Sequence, residues 1–314
     1  MIPPRRPGAW LAGTAGALLI LSPCLLTSTA AAPDAAAQNA ARETRDRHVF
    51  MTVLDRNDAP VTDLTAADVV VREDGAVREI ARVARATAPM QIALLVDDSQ
   101  ASLALTSELR QALTSFVGTI ARDSPDSELS LTTFGERPTR QVDFTSSAPV
   151  LTRAIGQIFP RSGSGAYFLQ AILETAKALK AHKAARPLIV AFVDEAGPEF
   201  SNNGHEAVAN ALKDAGAALW TVVLQGSGPV QRPTPEQIER GSVVADVSAA
   251  SGGGLKTVLD KQGIDRAMTS VATLLTSQID VTYARPDRLI PPTRLEVTVT
   301  RPGLRVWAPH WAGQ

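Results

Sequence analysis

The amino-acid sequence predicts an α/β fold: a doubly wound, mostly parallel sheet inserted in a small β-sandwich-like domain formed by the N- and C-terminal strands. Three observations predict it. Residues 92–96, 188–193 and 218–224 are apolar runs, the pattern of parallel strands buried on both faces. Segments with apolar residues at helical spacing separate these runs. Residues 47–88 and 279–314 show period two instead, and each holds too little apolar surface to stand alone.

Taken in order, residues 1–37 read as a secretory signal peptide. Arg5 and Arg6 form a positive start, residues 9–26 an apolar run, and Ala35, Ala36 and Ala37 a small-residue cleavage site before Gln38. The expected location is therefore periplasmic or extracellular. No retained membrane span is expected, because Pro23 interrupts an apolar run shorter than the roughly 20 residues a span needs. Cys24 is the one cysteine, and Pro23 makes a poor lipoprotein cleavage box before it, so lipid anchoring is not expected. Once the signal is removed, no thiol chemistry remains. Residues 38–46 read as a flexible polar leader. Lys plus Arg number 31 and Asp plus Glu 32, for a net charge of −1. No basic excess points to nucleic acid or an anionic membrane.

Residues 48–54 read as a strand and 57–60 as a turn. Residues 64–68 form one helical turn, capped by Thr65 with Asp68 three residues on. Residues 69–72 and 77–83 pair as a hairpin through Asp74-Gly75. From Pro89, strand and helix alternate. The strand at 92–96 leads to a helix marked by Leu105, Leu109, Leu113, Phe116 and Ile120. Strands at 128–134 and 141–144, a helix at 148–159 and a Gly-rich loop at 161–165 follow. Leu169, Ile172, Ala176 and Leu179 mark the next helix, before the strand at 188–193, a helix at 206–215 and the strand at 218–224. Thr234-Pro235-Glu236-Gln237 is a capping box with proline at the first helical position; the helix it opens ends near Gly252-Gly253. A strand at 255–259 and a helix through Ile264, Met268, Val271 and Leu275 complete the α/β part, residues 89–278. Residues 279–283 and 295–300 return to strand, and Pro302-Gly303 turns the chain into 304–307.

The stretch IALLVDDSQAS, residues 92–102, resembles the first strand and metal loop of a von Willebrand factor type A (VWA) domain. The flanks VLDRNDAPVTDLTAADVVVREDGAVREI and DVTYARPDRLIPPTRLEVTVTRPGLRVWAP are similar to the beginning and end of the bacterial VWFA-related domain family, and the Ser251-Gly252-Gly253 turn fits as well. The resemblance spans residues 49–308. It implies a Rossmann-like VWA fold that binds ligands through a Mg²⁺ at the top of its sheet, completed by an acidic group of the partner. That motif is Asp-x-Ser-x-Ser, then a loop Thr, then an Asp after a central strand, which suits a hard cation wanting six oxygens. By this resemblance Asp97, Ser99 and Asp194 match, while Ala101 and Ala166 stand where a Ser and the Thr belong. Around them, Ser102 is expected as a helix cap, Ser162 and Ser164 are candidates for the place of the Thr in a Gly-rich loop equally explained as a flexible crossover, and Asp98 and Glu195 are expected as loop carboxylates, Asp98 solvated beside Asp97. The favoured expectation is a degenerate site whose polar residues serve loop hydrogen bonds; bound Mg²⁺ or Mn²⁺ is the other reading.

Other chemistry finds less support. His48, His182, His205 and His310 lack a zinc spacing and are expected at the surface. Arg161 breaks a G-x-S-x-G pattern around Ser164. Gly163 to Gly165 lack the Lys-Ser/Thr of a P-loop, so no nucleotide is expected. Trp220 is expected in the core, and Trp307 and Trp311 in the β domain. The expected function is a secreted, non-enzymatic, adhesion-type module binding an unknown protein ligand at the top of the sheet. The alternatives are a hydrolase using Asp97, Asp98, Asp194 and Glu195, which lacks an oriented nucleophile and base, and a structural envelope protein with a non-functional metal site.

Overall fold

The chain begins with four short strands, β1 (Asp46–Leu54), β2 (Val69–Glu73), β3 (Ala76–Arg78) and β4 (Ile80–Arg85), in a computed structural model that describes residues 46–226, 232–285 and 292–311. The signal peptide and nearly all of the leader lie outside the described residues. β5 (Gln91–Val96), β6 (Glu128–Thr133), β7 (Thr139–Thr145), β8 (Pro187–Asp194), β9 (Ala218–Leu224) and β10 (Gly254–Val258) then form a six-stranded sheet in the order β10-β9-β8-β5-β6-β7. All its pairings are parallel except β6 with the edge strand β7.

Helices cover both faces. On one side pack α1 (Thr106–Asp123) and α2 (Ala148–Ile155). On the other lie α3 (Phe168–Ala181), α4 (His205–Ala215) and a long helix that begins as α5 (Pro235–Ser242). The last of these runs on through a π-helical turn, Val243–Val247, to Ser248–Ala250. α6 (Gly263–Thr276) returns to the first face. The alternation along β5 explains the two layers: Ile92, Leu94 and Val96 face α1 and α6, and Leu95 faces α3. Each such side chain, fully buried, contributes about 1.5–3 kcal/mol.

The terminal strands build two further sheets. β11 (Ile279–Ala284), β12 (Leu295–Val299) and β13 (Arg305–Trp307) supply the C-terminal part. One sheet has the order β13-β1-β11-β4 and the other β12-β2-β3. N- and C-terminal strands therefore pair directly, and Val49, Met51, Val71, Val281 and Leu295 share one core between the sheets.

Two expectations need correction here. The strand at 77–83 is not one strand: β3 ends at Arg78, and β4 leaves for the other sheet, where it pairs with β11. The Asp74-Gly75 turn is real, with both residues at positive φ. Trp307 lies in β13 as expected, but its ring packs edge-on against Trp220 of the α/β core, 5.3 Å between centroids. Trp220 is fully buried.

Candidate functional site

The C-terminal ends of β5 and β8 bring Asp97, Ser99 and Asp194 together. Asp97 ends the β5 run and is fully buried. Its Oδ1 accepts the Ser99 N–H at 2.9 Å and its Oδ2 the Asp194 N–H at 3.3 Å. Burial pushes its carboxyl above the usual carboxylate range, and contacts from Ser99 and Asp194 oppose that rise. Asp194, at the end of β8, turns Oδ1 to the Ala196 N–H at 2.9 Å. Its carboxyl is also pushed up, first by burial and in smaller part by Asp97.

Asp98 is buried rather than solvated, a correction with a clear cause. The chain at Gly135 comes close enough for its N–H to donate to Asp98 Oδ1 at 2.6 Å. A Cβ at Gly135 would stand 2.8 Å from the backbone and carboxylate of Asp98, so only glycine permits this approach. Arg161 stands on the other side, its Nε 3.5 Å from Asp98 Oδ2 and its N–H donating to the Asp98 carbonyl at 2.8 Å. Burial raises the Asp98 carboxyl, and Gly135 and Arg161 act against it.

Ser102 is not the cap of α1. It lies inside a 3-10 turn, Gln100–Leu105, for which Ser99 is the N-terminal residue. Ser99 Oγ and Ser102 Oγ are both buried without a hydrogen-bond partner among the described residues. Ser164 does not replace the missing threonine, because its Oγ donates to the Arg161 carbonyl within its own loop at 2.8 Å. Ser162 and Glu195 are exposed.

Ala166 is fully buried and forms isolated bridges with Gly135 on one side and Glu199 on the other. Its N–H donates to the Pro198 carbonyl at 2.9 Å, and the Phe200 N–H to its own carbonyl at 2.8 Å. These bridges join the loops after β6 and β8 to the loop before α3. Gln100 adds another tie, accepting the Gly163 N–H at 2.6 Å.

Two residues here were missed from the sequence. Arg240, on α5, is buried; its Nη1 donates to the Gly197 carbonyl at 2.9 Å and its Nη2 to the Glu195 carbonyl at 2.8 Å. Its charge acts on Asp97, Asp194 and Glu199, favouring their ionised forms. Glu199 Oε1 accepts the N–H groups of Phe168 at 3.1 Å and Ser201 at 3.2 Å. It thus places an acid at the start of α3, where free N–H groups and the helix dipole favour it. Neither Arg240 nor Glu199 stands in a local motif, and no signal in the sequence joins them to Asp97.

The buried, unpartnered hydroxyls of Ser99 and Ser102 are the features that suit Mg²⁺ or Mn²⁺. Both carboxylates of the motif are already held by backbone N–H groups, and methyl groups occupy the other two direct positions, Ala101 and Ala166. Two hydroxyls, only one of them at a motif position, are far short of six oxygens. Among the described residues, no group of three or more His, Cys, Asp or Glu side chains is arranged to hold a metal. The residues present do not fit a resident divalent cation.

Residues 92–197 match the family model of the von Willebrand factor type A domain. No curated protein matches the chain. Among solved structures, the chain is similar to the SpRpn10 VWA domain, with 16% identity, a TM-score of 0.44, and coverage of 57% of this chain and 94% of that one. It is also similar to the vWF domain of the type V pili tip protein Mfa5 from Porphyromonas gingivalis, with 11% identity, a TM-score of 0.46, and coverage of 60% and 96%. For a von Willebrand factor type A protein from Catenulispora acidiphila the values are 9%, 0.45, 85% and 75%.

Proposed function

We propose that the von Willebrand factor type A domain carried by this chain is a non-enzymatic protein-interaction module of an exported protein. Its contact surface is the loop platform at the C-terminal ends of the parallel strands, and it binds without a metal. One observation carries this reading. Of the eight exposed large hydrophobic residues among the described residues, five (Leu103, Phe159, Phe200, Ile238 and Leu259) lie in segments that follow or overhang those strand ends. Exposed apolar groups gathered on one end of a soluble domain, with charged neighbours such as Arg161 and Glu136, have the character of a partner-binding face.

Asp97, Asp98 and Asp194 act in this reading as braces for the platform, and Ser99, Ser102, Ser162, Ser164 and Glu195 belong to its loops. Export rests on the signal-like N-terminus; no helix among the described residues is long and apolar enough to cross a membrane. The division into β-domain halves at 47–88 and 279–314 around an α/β domain at 89–278 is supported by the separate core that the terminal strands share.

The test is capture from an envelope extract by wild type and by a Phe159→Ser, Phe200→Ser double variant, each with and without chelator. The expected result is a discrete partner retained by wild type in chelator and lost by the double variant. Capture that chelator abolishes, or that the double variant keeps in full, overturns the proposal.

A further inference from the structure

We propose a second ligand site at the opposite end of the sheet, one that takes a small anion with a flat apolar body, such as an aryl carboxylate or sulfonate. A cavity of about 400 Å³ lies there, between the starts of β8 and β9 and the first half of β1 in the terminal sheet. Its size falls in the range of small-molecule sites, about 300–1,000 Å³.

The lining defines the chemistry. Arg186 is 2% exposed, and its guanidinium donates to the carbonyls of Ala88 at 3.2 Å and Leu275 at 2.7 Å and to Gln278 Oε1 at 2.7 Å. Its Nε has no partner, and no carboxylate among the described residues forms an ion pair with it. Burial lowers it to about 10, which leaves it charged at neutral pH. A buried charge whose hydrogen-bond acceptors are all neutral is costly, and an anion in the adjoining cavity would offset part of that cost.

Asp280 acts on the guanidinium through space, but its carboxylate is shared with His48 at 2.9 Å and Arg82 at 3.2 Å. Asp214, the acid at the rim, pairs with Lys180 at 3.6 Å. Lys183 and Lys213 also line the cavity and have no ion-pair partner among the described residues. Phe50, whose ring lies 5.1 Å from the Arg186 guanidinium, joins Tyr283 and Trp311 as aromatic wall. Cations over aromatic surface suit a flat anion better than a hydrated inorganic one.

The experiment titrates the mature chain with 8-anilinonaphthalene-1-sulfonate, read by fluorescence and by calorimetry. Expected is one saturable site per chain. The Lys183→Glu, Lys213→Glu double variant weakens it about tenfold or more, the loss of one charge-assisted contact, while its melting midpoint stays at the wild-type value. The neutral analogue N-phenyl-1-naphthylamine is expected to bind about tenfold more weakly than the sulfonate. A Leu259→Ser variant, altered at the far end of the sheet, is expected to bind as wild type. Absence of saturable binding, equal affinity in the charge-reversal variant, equal affinity for the neutral analogue, or loss of binding on Leu259→Ser each overturns the proposal.

Discussion

Replacing Arg240 by methionine tests how the loop after β8 is held. Two carbonyls, of Gly197 and Glu195, lose charged donors at 2.9 and 2.8 Å. Each such bond contributes about 1.5–3 kcal/mol. The variant no longer desolvates a guanidinium, which offsets part of the loss. Methionine retains much of the stem volume, so no large cavity opens. The expected net destabilisation is about 2–4 kcal/mol. The melting midpoint should fall by roughly 2–4 °C for each kcal/mol lost in a domain of about 150–250 residues. Urea unfolding followed by tryptophan fluorescence measures it directly. A loss below about 0.5 kcal/mol, the range of an ordinary surface change, would refute the role given to Arg240. The same melts carry a magnesium arm. Millimolar Mg²⁺ should leave the wild-type midpoint unchanged, and a clear rise would refute the reading of the donor set.

Three more perturbations address separate parts of the structure. Gly135→Ala drives a methyl to 2.8 Å from the Asp98 backbone and carboxylate; it should cost about 1–3 kcal/mol by overpacking, measured as a shift in urea midpoint with unchanged slope. Glu199 is pushed above its ordinary value of 4.5, mainly by burial. The folded state therefore holds that proton more tightly than the unfolded chain, so its contribution to stability is greatest in acid and is lost as pH rises from 4.5 through the folded value. Urea midpoints of Glu199→Gln across that window should decline less with pH than those of wild type, and parallel curves would contradict the assignment. Trp307→Ala removes the edge-on pair with Trp220, losing about 0.5–1.5 kcal/mol beyond the buried area, with a changed emission from the remaining Trp220 as the spectroscopic sign.

The parts of the fold legible in the sequence are those encoded by local period. The runs at 92–96, 188–193 and 218–224 became three of the central parallel strands, because a strand covered on both faces has no polar side to show. The capping box at Thr234 formed as written, with Gln237 N–H donating to Thr234 Oγ1. Other features depend on distant chain. Nothing in Val77 to Val83 says that the strand must break at Glu79, since β3 pairs with β2 just before it while β4 joins the other sheet through β11, which arrives some 200 residues later. The burial of Asp98 depends on a glycine 37 residues away. The candidate site was half legible for the same reason. Asp97, Ser99 and Asp194 were singled out by the resemblance to the VWA motif, and the fold brings them together, whereas Arg240 and Glu199 reach the site only through tertiary packing.

β4 and β11 are antiparallel neighbours, with Arg85 opposite Ile279 and the Ala86 N–H donating to the Gln278 carbonyl at 2.8 Å. The chain therefore leaves for the α/β domain and returns from it at almost one point. Tension applied between the start of β1 and the end of β13 would act on the ladders that pair β1 with β13 and β11, whose antiparallel register sets the loaded ends side by side, and would bypass the loops at the C-terminal ends of the parallel strands. Pulled in this way, the molecule would keep those loops folded until the β ladders yield.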